Sequence, residues 1–157
     1  MRIKKILLCA ISFFVSFVQA EVLEFPNGGF SIESLDSIPQ QGMVQPIQMF
    51  LPAVNGFAAN VNVQIQAYSG TIQDYKKLSE GQFKQIGLTL ISSEDLEDSI
   101  VLEYMGPMGS LTLHWYAKAF KKMDHVYLVT ATATHSDWEA TKEKLISTVN
   151  SFKLNET

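Results

Sequence analysis

The sequence predicts an α+β fold: a largely antiparallel β-sheet flanked by two helices, an α/β/α sandwich if the helices cover opposite faces. Three observations carry this. Asn60 to Ala67 alternates apolar and polar residues with the period of a strand. The segments after Thr71 and Ser136 switch to helical spacing. Between them, four strand-like segments follow one another through short turns, which favour antiparallel neighbours and hence a meander.

Val22 to Phe25 and Phe30 to Ile32 flank Pro26-Asn27-Gly28-Gly29, where proline fixes one backbone angle and Asn-Gly accepts positive φ. A hairpin is expected there. Leu35 to Gln45 is polar, holds Pro39 and Gly42, and follows neither period, so it reads as a surface loop. Ile47 to Leu51 predicts a strand stopped at Pro52, and Val54 to Ala59 a glycine-containing connection. In the strand Asn60 to Ala67, the residues Val61, Val63, Ile65 and Ala67 make the buried side, and Asn62, Gln64 and Gln66 the solvated one.

Ile72, Tyr75, Leu78 or Ser79, Phe83 and Ile86 share one helical face. Thr71 and Asp74 have capping-box spacing at its start, and Gly87 supplies its stop. The four strands then run Leu88 to Ser93, Ser99 to Met105, Ser110 to Phe120 and His125 to Thr134. Their turns are the acidic stretch Glu94 to Asp98, Gly106-Pro107-Met108-Gly109, and Lys121-Lys122-Met123-Asp124. A closing helix is expected from about Asp137 to Phe152, with Ser136 and Glu139 as a capping box and Trp138, Leu145, Val149 and Phe152 facing inward.

The amino terminus has its own pattern. Arg2, Lys4 and Lys5 precede an apolar run from Ile6 to Val18, then Gln19-Ala20, the order of a cleavable secretory signal with its cut between Ala20 and Glu21. The run is shorter than the ~20 apolar residues that a membrane anchor needs, and Ser12 and Ser16 break it. Lipidation at Cys9 is disfavoured because Leu8 precedes it and most of the apolar run follows it. The reading is therefore a signal over residues 1–20, one globular domain over 21–157, a periplasmic or secreted location, and no stable membrane span after cleavage.

Cleavage removes Arg2, Lys4 and Lys5, leaving 12 − 3 = 9 basic residues against 16 acidic ones, a net charge of 9 − 16 = −7. Such a domain is poorly suited to nucleic acid, which is bound by clustered Lys and Arg. Cys9, the only cysteine, leaves with the signal. The mature domain then has no disulfide, thiolate nucleophile or cysteine metal ligand.

Several segments resemble the PsbP-like family, which includes the extrinsic photosystem II protein PsbP and bacterial DcrB-like lipoproteins. They are Pro26-Asn27-Gly28-Gly29-Phe30-Ser31-Ile32, Phe57-Ala58-Ala59-Asn60-Val61-Asn62-Val63, Tyr75, Tyr127-Leu128-Val129-Thr130-Ala131-Thr132 and Ser151-Phe152. The resemblance covers most of residues 22–154 and implies the α/β/α fold and a non-catalytic accessory or binding role with no shared catalytic motif to carry over. The poorly placed Cys9 implies a free rather than tethered relative.

The residues suited to chemistry have simpler readings. His114 shares a strand face with Thr112, Tyr116 and Lys118, so it reads as a solvated or hydrogen-bonded strand residue. His125 and His135 stand at opposite ends of one strand, too far apart for joint ligation at ~3.4 Å per residue, and no spacing with Asp124 or Asp137 forms a metal motif. Gly109-Ser110 lacks the Gly-x-Ser-x-Gly pattern of a nucleophile elbow. Glu94, Asp95, Glu97 and Asp98 read as a solvated turn without the glycine and distant glutamate of a calcium loop. No catalytic, cofactor or metal residues are expected. Methionine adapts to partner surfaces, so Met43 with Val44, and Pro107 with Met108, are the candidate contacts, each methionine being equally able to tuck into the core edge. Asn155-Glu156-Thr157 matches a glycosylation sequon at a terminus, where it reads as chance. The expected function is that of an exported, non-catalytic accessory protein binding an envelope protein or complex. The alternative is a carrier with a cavity between sheet and helix lined by Tyr75, Phe83 and Trp115.

Overall fold

The computed structural model describes residues 22–25, 30–33 and 43–154, with side chains from Gln45 onward. The signal segment, Ala20, Glu21, the turn Pro26 to Gly29, the loop up to Gly42 and the sequon at Asn155 lie outside the described residues. The chain divides into two units, residues 1–40 and 41–157. In the first, β1 (Val22–Phe25) and β2 (Phe30–Glu33) pair antiparallel, with Val22 opposite Glu33 and Phe25 opposite Phe30.

The second unit holds one six-stranded antiparallel sheet and two helices. Its elements are β3 (Met43–Phe50), β4 (Asn60–Ala67), α1 (Ile72–Gln85), β5 (Thr89–Asp95), β6 (Ser99–Met108), β7 (Leu111–Lys122), β8 (His125–Thr134) and α2 (Trp138–Asn150). Across the sheet the order is β3-β4-β8-β7-β6-β5. The meander from β5 to β8 is as the short turns predict, and β4 pairs with β8 so that the segment before α1 extends the same sheet.

Several boundaries differ from the sequence reading, each for a local reason. Met43 to Gln45 belong to β3 rather than to a loop, because Met43 and Val44 pair with Gln66 and Ile65; the register shifts between Val44 and Ile47, around Pro46. Val54 and Phe57 bridge across Asn55 and Gly56, whose φ values of 51° and 82° make a tight turn of the kind Asn-Gly favours. Glu94 and Asp95 extend β5, paired to Val101 and Ile100. Pro107 and Met108 extend β6, so the β6–β7 turn is only Gly109-Ser110, with Gly109 at φ 62°. The β7–β8 turn likewise shrinks to Met123-Asp124.

At the start of α1 the Thr71–Asp74 capping box is formed: Asp74 N–H donates to Thr71 Oγ1 and Thr71 N–H to Asp74 Oδ2. The predicted box at α2 is not. Asp137 is the N-cap with no side-chain cap bond; its carboxylate instead accepts from the Thr134 hydroxyl at 2.7 Å.

The core divides by strand parity. Val129, Ala131 and Ala133 of β8, with Val61 of β4, pack with Trp138, Leu145 and Val149 of α2. Val126 of β8, Ile100 and Leu102 of β6 and Ala119 of β7 pack with Tyr75 of α1. Alternate residues of a strand point to opposite faces, so the two helices draw on alternate sets. Of Leu78 and Ser79, the alternatives for the inner face of α1, Ser79 is the buried one and Leu78 is exposed; Ile86, placed on that face by periodicity, is the C-cap and is 65% exposed. The side of β4 read as solvated is half-buried, and Asn62 Oδ1 is buried there without a hydrogen-bond partner.

Candidate functional site

An apolar groove runs between α2 and the sheet edge formed by β3 and the segment after it. One part of it, about 530 Å³, is lined by Ile47, Met49, Val63, Ile65, Tyr127 and Phe152, together with Lys122 and Lys153. A second cavity of about 210 Å³ shares Met49, Val61 and Thr148 with the first, and a third of about 330 Å³ continues it through Leu51 and Lys144 to Val54 and Phe57. Ile47, Met49, Phe50 and Val54 are all exposed, Phe50 at 61%. Large apolar side chains held at the surface in one row are what a partner-binding face needs and what an isolated surface usually avoids.

The sequence shows why this row exists. In β3, Ile47 and Met49 stand opposite Val63 and Val61 of β4 and so face the α2 side. Thr148, Ser151, Phe152 and Leu154, from α2 and the chain just after it, line the opposite wall. Among the described residues β3 pairs only with β4, so its outer backbone edge lies beside the groove.

A separate cavity, about 320 Å³, lies between α1 and the sheet. Tyr68, Tyr75, Phe83, Leu102 and Tyr104 line it together with Gln66, whose Oε1 accepts a hydrogen bond from the Tyr75 hydroxyl at 3.0 Å. Behind this lining, Phe83, Tyr104 and Trp115 form a stacked column with centroid spacings of 4.0 and 5.2 Å. Burial pushes the Tyr104 phenol far above its ordinary range, and burial likewise raises Tyr75. Tyr75 and Phe83 thus stand where the sequence placed a cavity, while Trp115 backs the wall through Tyr104.

The third constellation is polar. His114 on β7 is 5% exposed rather than solvated, its ring stacked on Trp138 at 4.0 Å with planes 10° apart. Its Nε2 is 2.8 Å from Glu103 Oε1, and its Nδ1 is 3.5 Å from Nδ1 of the exposed His135. The Thr112 carbonyl accepts from the His135 backbone N–H, which holds that residue beside the start of β7. His125 and Asp124 are at the other end of β8, and Asp137 is engaged by Thr134. Among the described residues no group of three or more His, Cys, Asp or Glu is placed to hold a metal ion together.

The partner contacts read from the sequence do not converge. Met43 and Val44 begin β3, next to Gln66 and Ile65, whereas Pro107 and Met108 end β6 at the opposite end of the sheet, where Met108 is 55% exposed. Among the described residues no helix is long and apolar enough to cross a membrane.

No protein-family model matches the chain, and no curated protein matches it. Among solved structures, PA94 from Pseudomonas aeruginosa, a protein of unknown function for which a regulatory role has been suggested, superposes with a TM-score of 0.67 at 16% identity, covering 88% of this chain and 99% of that one. The solution structure of cyanobacterial PsbP from Synechocystis sp. PCC 6803 superposes more loosely, with a TM-score of 0.48 at 16% identity over 93% of this chain and 98% of that one. Neither structure confirms the DcrB-like half of the resemblance read from the sequence. The chain shares the fold of PA94, and at this identity the likeness extends to the fold alone.

Proposed function

We propose that this chain is an exported, non-catalytic accessory protein that binds an envelope protein or complex, through the groove between β3 and α2. The signal is cut between Ala20 and Glu21, and residues 21–157 form one PsbP-like α/β/α domain in the periplasm or outside the cell. The observation that carries the reading is the row of exposed apolar side chains at Ile47, Met49, Phe50 and Val54 beside a sheet edge. An extended apolar segment fits that shape: it can add to the edge of β3, reaching Met43 and Val44, while its side chains fill the groove. Lys122, Lys144 and Lys153 along the groove favour acidic residues flanking that segment. Pro107 and Met108 would form a second contact at the β6–β7 tip.

A photo-crosslinker placed at Met49 in intact cells tests this. It should capture one partner, with the crosslinked peptide apolar and flanked by Asp or Glu, and a crosslinker at Glu97 should not capture it. Capture of the same proteins from both positions, or of none, sinks the reading.

The cavity under α1 favours a second reading, a carrier of a small neutral molecule, since aromatic rings and amides line it and no charged side chain does. Native mass spectrometry of protein purified from its own envelope separates the two. A carrier brings a bound mass that Tyr104→Ala loses, and an accessory protein does not.

A further inference from the structure

We propose that the ligand of the cavity under α1 is a small neutral ring compound carrying a carbonyl group, and that the Tyr104 hydroxyl selects it by donating a hydrogen bond to the carbonyl oxygen. The inference rests on the carrier reading of that cavity and adds the class of molecule carried. At about 320 Å³ the space is twice the ~150 Å³ that encloses a benzene ring. One ring with a short substituent fills it.

The walls set the body of the ligand. Leu102, Ala117 and Leu128 from the sheet, with Leu78 and Phe83 from α1, offer only carbon. Leu102 and Ala117 are each 2% exposed, so the cavity reaches the core. None of the described residues lining it is Lys, Arg, His, Asp or Glu. A carboxylate or an ammonium group placed there would lose its hydration without meeting a counter-charge, which selects against charged ligands.

The hydroxyl protons set its polar end. Tyr75 O–H donates to Gln66 Oε1 at 3.0 Å and Ser79 O–H to the Tyr75 carbonyl at 2.8 Å, so both are committed. Tyr104 lines the cavity with its phenol close enough to that of Tyr75 to feel its charge, and its hydroxyl donates to no group among the described residues. The column with Phe83 and Trp115, at 4.0 and 5.2 Å, holds the ring in place. Burial raises this phenol, which keeps it protonated and therefore a donor. A donor held in this way favours a ligand that brings an acceptor and penalises analogues that lack one. A carbonyl oxygen accepts without carrying a charge.

The test is an amide NMR titration of the purified protein with three probes of similar shape: acetophenone, α-methylstyrene, in which a methylene replaces the carbonyl oxygen, and benzoate. Acetophenone should bind saturably, shifting the amides of Leu102 and Ala117 and not that of Leu145, which packs on the α2 side. Benzoate should bind about tenfold more weakly or not at all. Tyr104→Phe, which keeps the ring column, should weaken acetophenone about five- to hundredfold and leave α-methylstyrene within about twofold. No saturable shift with acetophenone, equal loss of both neutral probes in Tyr104→Phe, or benzoate binding as tightly as acetophenone would each overturn the assignment. Its failure is separable from that of the carrier reading. A bound mass from the native envelope that Tyr104→Ala loses and acetophenone does not displace leaves a carrier of another class of cargo. Neither a bound mass nor acetophenone binding sinks both.

Discussion

The ring of His114 lies flat on that of Trp138, 4.0 Å between centroids, so the first residue of α2 seals a buried histidine of β7. The contact ties the start of the closing helix to the sheet. Replacing His114 by alanine leaves a void under Trp138 and removes the partner of Glu103, a combined cost of about 2–4 kcal/mol. Urea denaturation followed by tryptophan fluorescence should show it. A loss below ~0.5 kcal/mol, the level of an ordinary surface change, would mean that the stack contributes nothing to stability.

At the start of α1, Thr71 and Asp74 cap each other, and the hydrogen bonds from Thr71 hold the Asp74 carboxyl below the usual carboxylate range. Thr71→Ala should cost about 0.5–2 kcal/mol. The sign of the pH effect follows from the lowered value. Asp74 stabilises the fold above the ordinary aspartate value near ~4, and this contribution is lost as pH falls through its lower folded value. The stability gap between the native protein and Asp74→Asn should therefore close on acidification. A gap of constant size from pH 7 down to pH 2 would count against the box.

Tyr75, Tyr104 and Tyr116 all have phenols raised by burial. The unfolded chain ionises them near ~10 and the folded chain only higher, so the stability they support is complete below that value and declines as pH rises beyond it. Absorbance at 295 nm should show a phase of tyrosine ionisation that coincides with unfolding. Tyr104→Phe should flatten the alkaline decline. If no ionisation step coincides with unfolding, burial does not hold these phenols neutral.

Gly106 allows β6 to pass close to the chain entering β5. A Cβ there would lie 2.5 Å from Leu88 Cδ2 and 3.2 Å from its Cα, so Gly106→Ala must push backbone as well as side chain. The expected cost is about 1–3 kcal/mol. Gly81→Ala, in open space on α1, should instead stabilise by about 0.4–1 kcal/mol. Thermal melts of the two variants should move in opposite directions.

Part of the candidate chemistry was within reach of the sequence and part was not. With the β7–β8 turn at Lys121 to Asp124, Phe120 faces His125 and His114 falls opposite Ala131, four residues from His135. The actual two-residue turn pairs Lys122 with His125 and His114 with Ala133, two residues from His135. A two-residue slip in one turn thus hid the histidine pair. The exposed row at Ile47 and Met49 was hidden differently: alternation marks those positions as one face of a strand but does not say whether a helix covers it.

By itself the sequence determined the element types, their order and much of the register, because periods of two and 3.6, a capping box and short turns are local properties of the chain. It also determined the acidic balance and the single cysteine. Tertiary structure decided which faces are dry. His114 shares its face with Thr112, Tyr116 and Lys118, and of these it alone is buried, where Trp138 stacks on it. Gln66 reads as solvated until the Tyr75 hydroxyl bonds to it. Burial depends on what packs from elsewhere in the chain, and neither the spacing nor the chemistry of one segment contains that.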